Sequence, residues 1–223
     1  MTSKPPTLDH AIEWRPAAIE TDSFTIIRRE LETLTGHPPA PETEDLLLRV
    51  IHTTADFELR DQLKVDPRIH EALPRLLAPG TVIYTDTRMV QSGINRKALE
   101  TLNLSTRCLV DDPQVAADAA AQGRTRSALG VEAAVKDPQI SVFVFGNAPT
   151  ALFRLCQLMD EGLAAPALVI GVPVGFVGAA ESKVHLLRYD VPQITLQGRK
   201  GGSNVAAAIV NALLYRLTGR THP

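Results

Sequence analysis

From residue 81 onward the chain alternates short, unbroken apolar runs with helix-like stretches, and this alternation fixes the fold class. The runs cover residues 81–85, 107–110, 140–145, 167–172 and 193–196. A strand with one wet face alternates apolar and polar side chains. These runs do not, so they predict strands covered on both faces. Helices between them make the connections crossovers in a parallel sheet. The expectation is an α/β, three-layer single domain with a mainly parallel central sheet.

Upstream, residues 1–20 read as a polar, Pro-rich lead-in to a domain over 21–217, with 218–223 as a tail. A first helix is expected to start near Asp22 or Ser23, either of which can cap it, with Phe24, Ile27 and Leu31 on one face. The Pro-rich stretch 37–41 interrupts the chain. A second helix follows over 42–57, with Leu46, Leu47, Val50, Ile51 and Ala55 facing the core.

Three later units share the order strand, small-residue turn, helix. In the first, Asn147 is the expected cap and Pro149 lies in the first turn. Leu152, Leu155, Cys156 and Met159 form the inner stripe, and Gly162 ends the helix. The second spans 168–178, with a helix from about Ala179. The third spans 194–203 and leads into a helix over 204–217. That helix is apolar nearly all round, so it belongs in the sheet packing or at a subunit interface.

Composition narrows the function classes. With 44% hydrophobic and 22% charged residues, 223 residues can build a core without disulfide or metal staples. Cys108 and Cys156 sit among apolar neighbours, as in a reducing cytosol. The six histidines show no ligand spacing, so no metal site is expected. The amino terminus lacks an apolar signal core, and no run reaches the roughly 18 residues that span a bilayer, which predicts a cytoplasmic protein without membrane partners. A net charge of -2 argues against nucleic-acid binding. Residues 141–223 carry +3 and residues 1–140 carry -5. That split is either surface variation or the mark of an anionic ligand facing the later part.

Ligands in open α/β sheets bind beyond the carboxyl ends of the strands, where all three glycine-rich turns fall. Their glycines permit close backbone approach, and the helix starts behind them offer unpaired N–H groups. Neither turn is a nucleotide motif: Pro173 stands where a dinucleotide fingerprint needs glycine, and Lys200 precedes the glycine pair instead of Ser203. His52 lies between apolar residues, where a histidine is usually structural. Thr53, Thr54 and Asp56 follow closely enough to orient an imidazole. No serine or cysteine elbow accompanies it, so the simplest catalytic role is proton donor. Arg88 follows the first strand and Arg124 and Arg126 flank a helix start; each is either a solvated charge or a carboxylate fork.

The strings Ile51-His52-Thr53-Thr54-Ala55-Asp56-Phe57, Thr85-Asp86-Thr87-Arg88-Met89, Gly146-Asn147-Ala148-Pro149-Thr150-Ala151-Leu152, the run 171–183 and Gly198-Arg199-Lys200-Gly201-Gly202-Ser203 occur in this order. Together they resemble the precorrin-8X methylmutase family, also called cobalt-precorrin-8 methylmutase, from about Ser23 to Leu214. The resemblance implies an isomerase that moves a methyl group from C-11 to C-12 of a corrin precursor, giving hydrogenobyrinate, or cobyrinate when cobalt is in the ring. It implies no cofactor, and a homodimer with the pocket near the subunit interface. It carries His52 over as proton donor and Ser23 and Arg126 as substrate contacts. Asn95 stands where relatives often have threonine and can still hydrogen-bond. Arg88, Asn147, Lys183, Arg199 and Lys200 complete the expected contacts to an anionic tetrapyrrole. The alternatives are a tetrapyrrole carrier without turnover and a sugar-phosphate isomerase.

Overall fold

The computed structural model describes residues 13–220. The chain runs α1 (Pro16–Thr35), α2 (Glu44–Thr54), α3 (Leu59–Gln62), β1 (Leu63–Val65), α4 (Arg68–Leu76), β2 (Val82–Thr85), α5 (Arg88–Gly93), α6 (Arg96–Thr101), β3 (Ser105–Arg107), α7 (Pro113–Gln122), α8 (Arg126–Ala134), β4 (Ile140–Phe145), α9 (Pro149–Asp160), β5 (Leu168–Gly171), α10 (Ala179–Leu186), β6 (Gln193–Leu196) and α11 (Ser203–Thr218). Residues 1–12 of the expected lead-in and 221–223 of the expected tail lie outside the described residues.

The strands form one sheet in the order β1-β6-β5-β4-β2-β3. All neighbours are parallel except the edge strand β1, which runs antiparallel to β6. Four of the five apolar runs form strands buried on both faces, as their pattern requires. Ile83, Val142, Val144, Leu168, Ile170, Ile194 and Leu196 face a core built around α11. Val82, Tyr84, Phe143, Phe145 and Val169 face the opposite core, against Leu152, Leu155 and Cys156 of α9. Helices on both faces make the three layers expected of the sequence.

The helix over 203–218 settles one of the two places open to it. Its apolar surface is covered within the chain, with Val205, Ala206, Ile209, Ala212, Leu213 and Leu214 all buried. The small side chains allow close approach. A Cβ at Gly93 of α5 would stand 2.7 Å from Ala207 Cβ, and one at Gly146 would stand 2.7 Å from Ser203 Cα. This helix therefore gives no reason of its own to expect a subunit interface. The second helix is sandwiched: Leu46 and Val50 join the α11 core, while Leu48 and Ile51 pack on Phe24, Ile27 and Leu31 of α1.

Three local expectations are corrected, and one short strand had none. The first helix starts at Pro16, with Arg15 in extended conformation before it, because a proline in the first turn needs no N–H partner. Asp22 and Ser23 lie inside it, and the Ser23 hydroxyl donates back to Ile19 O at 2.7 Å. The strand expected over 107–110 is Ser105–Arg107, since an exposed edge strand pairs with β2 without needing apolar side chains. β1 has only three residues with an exposed centre, too short to give a pattern. The extended residue before α9 is Ala148, and Asn147 does not cap the helix.

Candidate functional site at the carboxyl edge of the sheet

The carboxyl ends of β2, β4, β5 and β6 lie side by side, and a buried carboxylate organises the first two. Asp86 directly follows β2 and is fully buried. Its oxygens accept main-chain N–H bonds from Gly146 at 3.0 Å and from Asn147 and Ala148 at 2.8 Å each. Asp86 thus supplies, from another strand, the cap that Asn147 was expected to give. Burial pushes its carboxyl up, and the three N–H donors pull it back down. Next to it Thr87 caps α5 by accepting from Val90 N at 3.2 Å, and its hydroxyl meets Ser203 Oγ at 3.1 Å. The Thr125 and Thr150 hydroxyls, 3.0 Å apart, bring the starts of α8 and α9 together.

The two remaining turns are zipped to each other. Gly202 N–H donates to Val172 O at 3.0 Å, and Gly175 N–H donates to Arg199 O at 3.1 Å. Glycine is required at 201: its φ is 151°, and a Cβ would lie 2.2 Å from Val172 O. Beneath the turn Lys183 is buried, with 1% exposure, and its ammonium donates to Lys200 O at 2.7 Å. Burial lowers its pKa to about 8.

His52 reaches this edge from the last turn of α2. The helix ends there because Ala55 adopts a left-handed conformation, φ 53°, with its N–H on Ile51 O at 2.7 Å. The imidazole is exposed and makes no hydrogen bond among the described residues; its contact is the edge of the Phe24 ring, 5.3 Å between centroids. The neighbours expected to orient it are occupied elsewhere. Thr54 Oγ1 donates to Val50 O at 2.8 Å, and Asp56 takes the Lys200 ammonium at 2.5 Å. Two bonds to the β6–α11 turn fix the segment instead: that ion pair, and Asn204 Nδ2 to Thr53 O at 3.4 Å.

The side chains around this edge are cationic and apolar. Arg126 begins α8, exposed and without a partner among the described residues. Arg88 begins α5 and pairs with Asp111 at 2.9 Å, both largely exposed. Arg199 lies over the Phe176 ring, 5.7 Å to its centroid. Met89, Phe176 and Val177 stand out into solvent, with exposures of 70%, 85% and 89%. A flat, mostly apolar molecule with a charged rim fits such a surface: rings on the apolar side chains, carboxylates on the arginine forks. Among the described residues no three His, Cys, Asp or Glu side chains gather so as to hold a metal ion.

Comparison with known proteins decides what this arrangement belongs to. Residues 18–216 match the precorrin-8X methylmutase family. The chain is 49% identical over 206 residues to a cobalt-precorrin-8 methylmutase of Salmonella typhimurium, covering 91% of this chain and 96% of that one. It is 44% identical over 199 residues to a precorrin-8X methylmutase of Pseudomonas aeruginosa, covering 88% and 93%. The crystal structure of precorrin-8X methylmutase from Thermus thermophilus superposes with a TM-score of 0.80 at 35% identity, covering 91% of this chain and 96% of that one. The chain belongs to the precorrin-8X methylmutase family. It is an isomerase, a methylmutase of cobalamin biosynthesis, and its mostly parallel α/β fold is the fold of that family.

In this methylmutase the expected site residues divide into three groups. His52, Arg88, Arg126, Asn147 and Arg199 present exposed side chains along the carboxyl edge, and Ser23 neighbours the Phe24 ring on which His52 rests. Lys183 and Lys200 lie at the edge with their ammonium groups engaged by the protein. Asn95 lies apart from it. Asn95 Oδ1 caps α6 by accepting from Ala98 N at 3.0 Å, Nδ2 donates to Tyr215 OH at 2.8 Å, and the main-chain N–H donates to Asn211 at 2.7 Å. Asn211 is eight residues, or about 12 Å of helix, from Ser203 at the edge. Asp86 and Asn204 were not singled out as site residues. Asp86 stood in a quoted string, and a carboxylate directly after an unbroken apolar strand was the available signal.

The buried Lys183 ammonium makes stability depend on pH. The lowering to about 8 corresponds to roughly 3 kcal/mol against the charged form. Below pH 8 folded and unfolded chains both hold the proton. Between about 8 and the ordinary lysine value near 10.4 only the unfolded chain does, so loss of the proton favours the fold as pH rises. The stability of wild type relative to Lys183→Met should be flat below pH 8 and rise by about 1 kcal/mol per pH unit above it. Urea unfolding at a series of pH values measures this; a flat difference through pH 10 would mean that the amine is hydrated.

Proposed function

We propose that His52 is the proton donor of the methyl migration and that the substrate is an anionic tetrapyrrole lying along the carboxyl edge, its methyl group passing from C-11 to C-12. The observation that carries this reading is the state of His52. It is an exposed imidazole, free of hydrogen bonds among the described residues, on a segment held to the β6–α11 turn. A structural histidine would be buried and satisfied. An intramolecular shift needs no nucleophile or leaving-group acid. It needs a rigid pocket and a proton placed to favour the product's conjugation, and a single histidine supplies that. Arg88, Arg126 and Arg199 are the carboxylate contacts, with Asn147 and Ser23 as neutral ones. Asn95 is left out because its polar atoms hold α6 to α11. The relatives are named for cobalt-containing and cobalt-free substrates alike, so both are tested.

The same reading places the enzyme in the cytoplasm, consistent with two buried, unpaired cysteines and with no helix among the described residues long and apolar enough to cross a membrane. It also makes it a homodimer. Met89, Phe176 and Val177 leave apolar surface uncovered at the edge of the site, and an isologous pair would cover it and complete the pocket. Light scattering at micromolar concentration should give twice the chain mass; a monomer would leave the pocket with an open side and remove this part of the reading.

His52→Ala should abolish conversion of both precorrin-8X and cobalt-precorrin-8, followed by visible absorption, while binding of the tetrapyrrole product persists. Wild-type turnover by the variant would remove the assignment. Binding without turnover by the wild type would favour a carrier.

Arg126→Ala should weaken binding of the acid substrate about tenfold to a hundredfold, the worth of one charge-assisted contact. An amidated analogue should lose much less. Equal losses for both ligands in spectral titrations would show that Arg126 acts by packing.

A further inference from the structure

We infer that Lys200 is a positioning residue for the His52 segment and not a reader of substrate carboxylates: it locks residues 53–58 onto the turn between β6 and α11. The inference rests on the reading of His52 as the acid. The Lys200 ammonium meets Asp56 Oδ2 at 2.5 Å and Glu58 Oε2 at 2.7 Å. Two carboxylates therefore face one ammonium, and no positive charge is left over to attract an anionic ligand. Each partner shows the other's influence. The ammonium holds the Asp56 carboxyl below its usual range, and Asp56, with Glu58, raises the Lys200 ammonium.

The lysine can act as an anchor because its own main chain is fixed. The buried Lys183 ammonium donates to Lys200 O. Gly202 N–H on one side and Arg199 O on the other are bonded to the turn after β5, and Gly201 packs closely against Val172 O. The segment it holds needs an anchor. α2 has ended, Ala55 occupies a left-handed conformation that L side chains disfavour, and Asp56 and Glu58 would repel each other without the ammonium. Asn204, one turn away, takes Thr53 O and gives a second point of attachment. His52 precedes this anchored stretch by one residue, so its position on the edge is set from the other end of the chain.

The two roles predict opposite results in a double-mutant cycle of Lys200→Met, Asp56→Asn and the double variant, with kcat and the Kd of the tetrapyrrole product measured for each. A positioning ion pair gives losses of about tenfold or more in kcat for each single variant, no further loss in the double variant, and Kd within about twofold of wild type. Lys200→Arg, which keeps the charge and can reach both acids, should regain most of kcat. A carboxylate reader gives a raised Kd for Lys200→Met and a lowered Kd for Asp56→Asn, because losing the acid frees the lysine for the ligand. That pattern, additive kcat losses, or unchanged kcat in both single variants would overturn the inference. Product binding also reports folding; if Lys200→Met does not fold, the sign of the Kd change in Asp56→Asn decides alone. His52→Ala run in parallel separates the two readings. Full turnover there removes the acid and this inference with it. An inactive His52→Ala beside opposite-signed Kd changes removes only the positioning role.

Discussion

A single buried carboxylate holds the working edge of this methylmutase together. Asp86 sits at the end of β2 without a salt bridge among the described residues, and three successive main-chain N–H groups of the β4–α9 turn close on its two oxygens. An ionised group without water is costly unless every lone pair is met, and an N–H array at a helix start meets it well. The neighbouring Thr87 then ties the same strand end to Ser203 of α11. These bonds add to the sheet pairing and to the packing of α8 on α9 and of α5 on α11, and join two crossovers into one ledge. The arginines that begin α5 and α8 stand on that ledge, and their spacing is set by it.

The opposite half of the edge uses main chain where the first half uses a side chain. The turns after β5 and β6 bond to each other through Val172 O and Arg199 O, at a distance only glycine tolerates. Lys183 fills the space beneath and donates to the Lys200 carbonyl. The result is a surface whose backbone is tied by hydrogen bonds while its side chains, Arg199 and Phe176 among them, remain exposed. Such a surface suits a large, flat ligand, which is recognised by placement around a rim more than by enclosure.

Sequence legibility followed burial. β2, β4, β5 and β6 were readable because strands covered on both faces are mostly apolar, with buried polar side chains such as Thr85, Gln193 and Thr195 as the exceptions. β1 and β3 were not, being three-residue edge strands with exposed positions, where main-chain pairing alone decides. The start of α1 was misplaced because Pro16, not a hydroxyl or acid, opens it. At the site, residue type alone pointed to His52, Arg88 and Arg126, whose side chains the fold leaves exposed, Arg88 in an ion pair with Asp111. It gave no sign that the polar groups of Lys183, Lys200 and Asn95 bond within the fold. A cation or amide beside a glycine-rich turn looks the same in sequence whether it faces a ligand or a carbonyl, and the Lys200 partner lies 144 residues away. The Asp86 carboxylate was visible as a letter in a string, but its function exists only once β2 and β4 are neighbours.

Those long separations bear on how the molecule comes into being. The helix that carries His52 is joined to its surroundings through Asp45 to Arg216, Asp56 to Lys200 and Thr53 to Asn204, across 171, 144 and 151 residues. β1 likewise pairs with β6. On a ribosome, where a chain emerges at roughly 5–20 residues per second, α2 therefore spends about ten seconds or more exposed, with only α1 to cover part of its apolar surface. The central strands and their crossovers can assemble in that interval, because β2, β4 and β5 need nothing from the amino-terminal helices to pair. The segment that carries His52 can dock only after Lys200 and Asn204 have emerged. Its docking on the carboxyl edge therefore waits for α11, and until then the nascent α1–α2 hairpin keeps apolar surface uncovered.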